Sequence, residues 1–237
     1  DTSLIKINQL EEKETYDSVY EQEILEHDKN QDYKIIEFDG NNYHAKIVVI
    51  YDPARVSLYT LPYFNDYGKT ITQIAEDSNA IVAMNASGFN DAGGTGHGGI
   101  PTGTVIKDSE VLYRGYRTGW PGGLIGFNKD HILVLTKDTP EDAIAKGMVD
   151  AVEFGPFLIV NGETASMAGN GGSGDQPRTV IAQRQDGIVL FVVIDGNGTG
   201  GMNFNARGGV SYPELIEILT RYKAYNAANL DGGASTS

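Results

Sequence analysis

The chain contains no cysteine, which excludes disulfides, thiolate nucleophiles and zinc–thiolate sites. Its four histidines, His27, His44, His97 and His131, are scattered, so a histidine-built metal centre lacks a donor set in the sequence. No apolar run reaches the roughly 18 residues of a membrane-crossing helix. No basic stretch followed by an apolar one opens the sequence either. Positive charge is scarce as well: 18 Lys and Arg stand against 32 Asp and Glu, a formal net charge of −14. Such a surface neither displaces counterions from nucleic acid nor gathers on anionic lipid. An anionic substrate would need a local arginine or a bound cation.

Glycine is abundant, with 30 in 237 residues, against an average near ~7%. Two clusters hold many of them, "NASGFNDAGGTGHGGIPTG" at 85–103 and "MAGNGGSGDQP" at 167–177. Structureless loops of that length are uncommon unless they serve function.

Residues 1–31 are acidic and polar, with Tyr16, Tyr20, Glu23 and Ile24 at helical spacing. They read as a helical N-terminal segment or linker. From residue 32 to 237 no linker interrupts the pattern, which predicts a single domain. "YKIIEF" and "NYHAKIVVIY" flank Asp39-Gly40 as a hairpin. "TVIKDSEVLYRG" and "GGLIGFNKDHILVLT" read as two more, and Asp186-Gly187 marks a fourth. "RVSLYTL" and "AIVAM" read as strands, the second buried. Helices are expected at "KTITQIAEDSN", after Thr139-Pro140, and after a Ser211/Glu214 capping box. The fold class is therefore α+β, a mixed or antiparallel sheet with a few helices.

Three apolar runs each end on a short polar residue. "AIVAM" precedes Asn85, "VLFVVI" precedes Asp195, and "AANL" precedes Asp231. Singly, such pairs are ordinary turns. Together they predict three strand tips on one rim, where scaffolds carry function. Glycines there allow close backbone approach and turn amides toward an anion. Glu153, inside "AVEFGPFLIV", is either a surface residue of an edge strand or a buried functional acid. Arg178 begins an apolar strand beside the second glycine cluster. It is either a surface cation or a two-pronged phosphate ligand. His97, amid "GGTGHGGI", is a loop residue or a proton-transfer group over a pocket.

The blocks "AMNASGF", "EFGPFLIVNGE", "PRTVIAQ", "FVVIDG" and "SYPELIEILTRYKAYNAANLDGGASTS" occur in order. Together they resemble the phosphodiester glycosidase family from about residue 45 to 237. The Asn-Leu-Asp-Gly-Gly block is the most specific, and Asn85-Ala-Ser-Gly-Phe89 departs from the family's usual Asn-Gly-Gly pattern. The resemblance implies hydrolysis of a sugar-1-phosphodiester, of the N-acetylglucosamine-1-phosphate type, at the anomeric carbon. It implies Asp231 or Glu153 as base or nucleophile, with Asp195 a second acid, a structural residue or a calcium ligand. Arg178, Gly232 and Gly233 would bind phosphate, and Asn85, Ser235 and Thr236 would orient the substrate. No cofactor is required, and an ion held by an oxygen-rich loop set would be Ca²⁺ or Mg²⁺. A bacterial extracellular or cell-surface setting is expected, with a glycan or teichoic-acid-like substrate and a membrane anchor outside this stretch. The resemblance further implies strands beyond residue 237, supplied by a C-terminal fragment that completes the fold. Two other functions fit the same residues: a sugar-phosphate-binding module without catalysis, and a metal-dependent phosphodiesterase.

Overall fold

The computed structural model describes residues 2–7, 15–65, 67–91, 93–94, 96, 98–115, 121–167, 174–196, 208–233 and 236. Alternating apolar residues build two antiparallel sheets. The first contains β1 (Tyr33–Asp39), β2 (Tyr43–Ile50), β8 (Phe157–Val160), β9 (Glu163–Thr164), β10 (Arg178–Arg184), β11 (Val189–Gly196) and β12 (Ala224–Asn229). Their order across the sheet is β1-β2-β11-β10-β12-β8-β9. The second contains β3 (Val105–Lys107), β4 (Glu110–Tyr113), β5 (Gly123–Asn128), β6 (Leu133–Thr136) and β7 (Met148–Phe154), in the order β4-β3-β7-β5-β6.

Period-two alternation decides which layer each side chain joins. From the first sheet, Ile181, Val189, Phe191 and Ala228 face the second sheet and pack with its Ile125, Val152 and Phe154. Their neighbours Ala45, Ile47, Val180, Val192 and Ile194 face outward, under α1 (Val19–Leu25) and α4 (Tyr212–Arg221). The outer face of the second sheet, with Ile106, Leu124 and Ala151, is covered by Ala143 of α3 (Pro140–Ala145). The layers thus run helices, sheet, sheet, helix. Gln183, fully buried, stitches the two sheets by accepting from the Leu133 amide at 2.7 Å and donating to the His131 carbonyl at 3.0 Å.

The hairpins fall where the turn residues place them. β10 and β11 join through Asp186-Gly187, whose glycine sits at φ +91°. α3 starts on Thr139, whose hydroxyl accepts from the Asp142 amide, with Pro140 in the first turn. Of the box expected at α4, the Ser211 half forms, accepting from the Glu214 amide.

Two expected strands are absent among the described residues. Residues 56–61 pair with no strand, and the Leu58 amide goes to the Asp150 carboxylate at 3.2 Å. The run "AIVAM" follows α2 (Ile71–Ser78), whose last turn closes on Asn79 at φ 51°. It then lies half-exposed along the cleft between the sheets, with Met84 and Ala86 against the inter-sheet core. An apolar run beside a cleft reads in sequence like a buried strand.

The expected N-terminal helix forms as α1 and packs on the outer face of the first sheet. Ile24 is 0% exposed in the outer core, and Tyr222 donates to Glu23 at 3.1 Å. Lys223 reaches the buried Glu21 at 2.8 Å. Ile24→Ala should therefore cost about 2–4 kcal/mol in urea unfolding, the toll of a core cavity. A change near zero would mean that the helix adds nothing to the core.

Candidate functional site at the rim of the first sheet

β11 and β12 both pair antiparallel with β10, one on each side. They therefore run parallel to each other and leave the sheet at one edge, where β10 begins. Arg178 sits opposite Ile194, and Val180 opposite Asn229. Asp195 and Asp231 thus flank the start of β10, as two of the three tips were expected to do.

The third tip arrives from residues 84–89. The Asp231 amide donates to the Ala86 carbonyl at 3.0 Å. The Asn85 side chain donates to the Asp231 carbonyl at 2.8 Å and accepts from the Thr179 hydroxyl at 3.1 Å. Thr179 is fully buried, and its carbonyl takes the Leu230 amide at 2.8 Å. Asn85 is thereby a clasp between two strands and the loop.

Gly232 follows, close against the start of β10. A Cβ there would lie 3.0 Å from the Pro177 carbonyl and 3.5 Å from the Arg178 Cα. Gly233 turns at φ +61°, a conformation that glycine adopts without steric cost. Its amide donates to the Pro177 carbonyl at 2.9 Å. That bond corrects its expected role: the Gly233 amide holds the loop and is not directed at a phosphate. The Gly232 amide has no protein acceptor among the described residues. The hydroxyl of Thr236 is shielded from solvent and has no hydrogen-bond partner among the described residues. The same holds for the Oδ1 of Asn229, whose Nδ2 donates to the Gly155 and Leu230 carbonyls at 3.0 and 2.8 Å. Buried polar atoms of this kind are rare and cost stability unless something fills them.

Asn85 and Asp231 line a cavity of about 1190 Å³ between the sheets, floored by Ile125, Val152, Ile181 and Phe191. Arg178 stands behind the rim, 4% exposed, on the α4 side of β10. Its guanidinium lies 4.0 Å over the Tyr212 ring and donates to the Val210 and Gly174 carbonyls at 3.2 and 2.9 Å. Burial holds its pKa below the ordinary arginine value. Burial removes the first alternative the sequence offered, a surface cation, and Arg178 is not among the residues that line the large cavity.

Glu153 is a correction of a different kind. It lies between Val152 and Phe154, which face the first sheet, and so points to the opposite face. There it accepts from the Thr104 amide at 2.9 Å and lines a separate cavity of about 200 Å³ with Lys137, Asp138 and Pro140. The pleat places it outside the cleft of Asn85 and Asp231. Glu153→Gln keeps an acceptor for Thr104 and should leave turnover within a few-fold of the parent. A loss as deep as that of a catalytic acid would restore Glu153 to the site.

Asp195 is exposed on the rim and accepts from the Gly196 amide at 2.8 Å. Among the described residues no three His, Cys, Asp or Glu gather as a metal site. His97 and Ser235 lie outside the described residues. Thr179 and Asn229, both buried, escaped the sequence reading. The one available signal was a polar residue inside each apolar strand.

Residues 78–237 match the family model described as phosphodiester glycosidase. The chain belongs to the phosphodiester glycosidase family. Asn85, Arg178, Asp231 and the glycines after it fall inside that match, whereas α1, β1 and β2 precede it. Solved structures show the same fold. The catalytic domain of zebrafish N-acetylglucosamine-1-phosphodiester alpha-N-acetylglucosaminidase, auto-inhibited by its pro-peptide, aligns with TM-score 0.65 at 18% identity, over 89% of this chain and 74% of that one. A hypothetical protein from Synechocystis aligns with TM-score 0.54 at 18% identity, over 86% and 56%. In Bacillus subtilis strain 168, the SPbeta prophage-derived uncharacterized protein YomE is 28% identical over 186 residues. Those residues are 75% of this chain and 27% of that protein, so the chain spans about a quarter of its curated relative.

Proposed function

We propose that this family member hydrolyses a sugar-1-phosphodiester of the N-acetylglucosamine-1-phosphate type, releasing free sugar and a phosphomonoester. The observation that carries the reading is the Asn85–Thr179–Asp231 clasp, whose Asn85 and Asp231 line the large cavity. It fixes the backbone of Asp231 on both sides, as a reacting carboxylate requires.

Cleavage at an anomeric carbon passes through an oxocarbenium-like transition state. The leaving group is a phosphomonoester, which departs without strong protonation. The protein's tasks are then to stabilise the cationic sugar, to position the nucleophile and to hold the phosphate. Asp231 takes the first two. The Gly232 amide and the Thr236 hydroxyl are the donors nearest in sequence for the phosphate. Arg178 adds positive charge from behind the rim. Asp195, across β10, is the second acid of the rim, and the reading needs no cofactor. A sugar-1-phosphodiester substrate suits a bacterial cell-surface or extracellular setting, with a glycan or teichoic-acid-like polymer as its source.

Product analysis tests this directly. N-acetylglucosamine 1-(methyl phosphate) should yield N-acetylglucosamine and methyl phosphate. N-acetylglucosamine 1-phosphate as product would mean P–O cleavage. Binding without turnover would mean a sugar-phosphate-binding module.

A further inference from the structure

We propose that the cavity beside Asp231 holds an apolar chain, so that the alcohol on the far side of the substrate's phosphate is a lipid alcohol. This rests on the reading of the rim as a glycosidase site, and it favours a lipid-borne glycan over a phosphate-rich polymer as the source.

The apolar run "AIVAM" at 80–84 forms no strand, and none of its residues is buried. All five line the cavity, and Ile81 is 65% exposed. The run leads straight into Asn85 of the clasp. Contiguous exposed apolar surface marks ligand grooves. The floor points the same way. Ile181 and Phe191 stand opposite each other on β10 and β11, central strands of the first sheet. They face the second sheet, where side chains of a two-sheet core interdigitate. Yet both are only half-buried, whereas their outward neighbours Val180 and Val192 are 0% exposed. The sheets part here, and the cavity fills the gap. Ala228, in register with Ile181, stands three residues before Asp231. That is roughly 10 Å along an extended chain. The floor therefore begins within reach of an alkyl chain whose phosphodiester lies at Asp231.

Size and charge select the occupant. A cavity of about 1190 Å³ exceeds the roughly 300–1,000 Å³ of a pocket for one small ligand, so room remains beyond a single sugar phosphate. The cations among the described lining residues are engaged, Lys69 with Asp77 and Arg55 with Asp32. A run of further phosphates would find no counter-charge there. A hydrocarbon chain would find Ile125, Val152, Ile181 and Phe191 on one side and the run 80–84 on another. Apolar cavities far smaller than this one take up hydrocarbon ligands.

The test compares three esters of N-acetylglucosamine 1-phosphate on the parent protein. They are the methyl ester (the short diester), the octyl ester kept below its micelle concentration, and the ester of an ethylene-glycol chain of octyl length. Each hydrolysis breaks the bond from C1 to the phosphate oxygen, puts the oxygen of water on C1 and releases the alkyl phosphate. A buried methylene is worth about fourfold in affinity. The octyl ester should therefore exceed the short diester about a hundredfold in kcat/KM, through KM, and the glycol ester should not. Ile81→Gln/Met84→Gln puts polar groups in the wall. It should cut the octyl preference about tenfold and leave the short diester within a few-fold of the parent. Ile81→Gln alone, at an exposed position, should cut it about fourfold and serves if the pair does not fold. A glycol ester as good as the octyl ester, or no octyl preference, overturns the lipid chain. An undiminished preference in the folded variant overturns this cavity as its seat. If the parent cleaves none of the three, the catalytic reading fails, and calorimetric binding decides. Octyl ester bound about a hundredfold more tightly than glycol ester then upholds the apolar cavity, and equal binding or none sinks it.

Discussion

Asp231→Asn should lower sugar release about a thousandfold while leaving the melting temperature nearly unchanged, because a positioned acid or base contributes roughly 10²–10⁴. Two bonds that hold this residue in place are made by its backbone. Its amide donates to Ala86 and its carbonyl accepts from Asn85. Asparagine keeps both, and it serves a turn before glycine as well as aspartate does. What it removes is the negative charge that would stabilise an oxocarbenium and the basicity needed to act on water or carbon. Steady-state kinetics on the short diester, beside thermal unfolding of the same sample, separates the two roles. Turnover within a few-fold of the parent would reduce Asp231 to a turn residue.

Arg178→Ala should destabilise the domain by about 3 kcal/mol or more. The guanidinium is buried, stacks on Tyr212, and satisfies the carbonyls of Val210 and Gly174. Hydrogen bonds from a charged donor are worth about 1.5–3 kcal/mol, and carbonyls left unsatisfied in a buried site carry their own penalty. Arg178→Lys keeps the charge but cannot reproduce a planar fork that stacks on a ring, so it should fall between parent and alanine. Both variants should also slow turnover, because the Arg178 backbone is the floor on which Gly232 rests. Urea unfolding measures the first effect, and a cost below about 1 kcal/mol would mean that the stack and its bonds count for little.

Much of this was legible in the residues. The hairpins follow from Asp39-Gly40 and Asp186-Gly187, whose turn geometry is local chemistry. The end of β12 was legible because Asp231 and two glycines follow an apolar run. Glu153 was not. Both faces of its sheet are covered, one by the first sheet and one by α3, so a lone carboxylate in the strand does not reveal which side it takes. The segment 80–84 misled for the converse reason: apolar content reports burial, whereas a strand also needs a neighbour for its amides. Thr179 stayed hidden because its partner, Asn85, lies 94 residues away.

That distance has a consequence for how the protein comes to work. The bond from Asn85 to Asp231 spans 146 residues, and the one to Thr179 spans 94. Contacts this remote close large loops and form late, since their entropy is spent before they reward it. The clasp is therefore a product of complete folding. During synthesis no site exists until residue 231 has emerged and β12 has taken its place beside β10. On refolding, activity should return only in the final phase, with no catalytic intermediate before it.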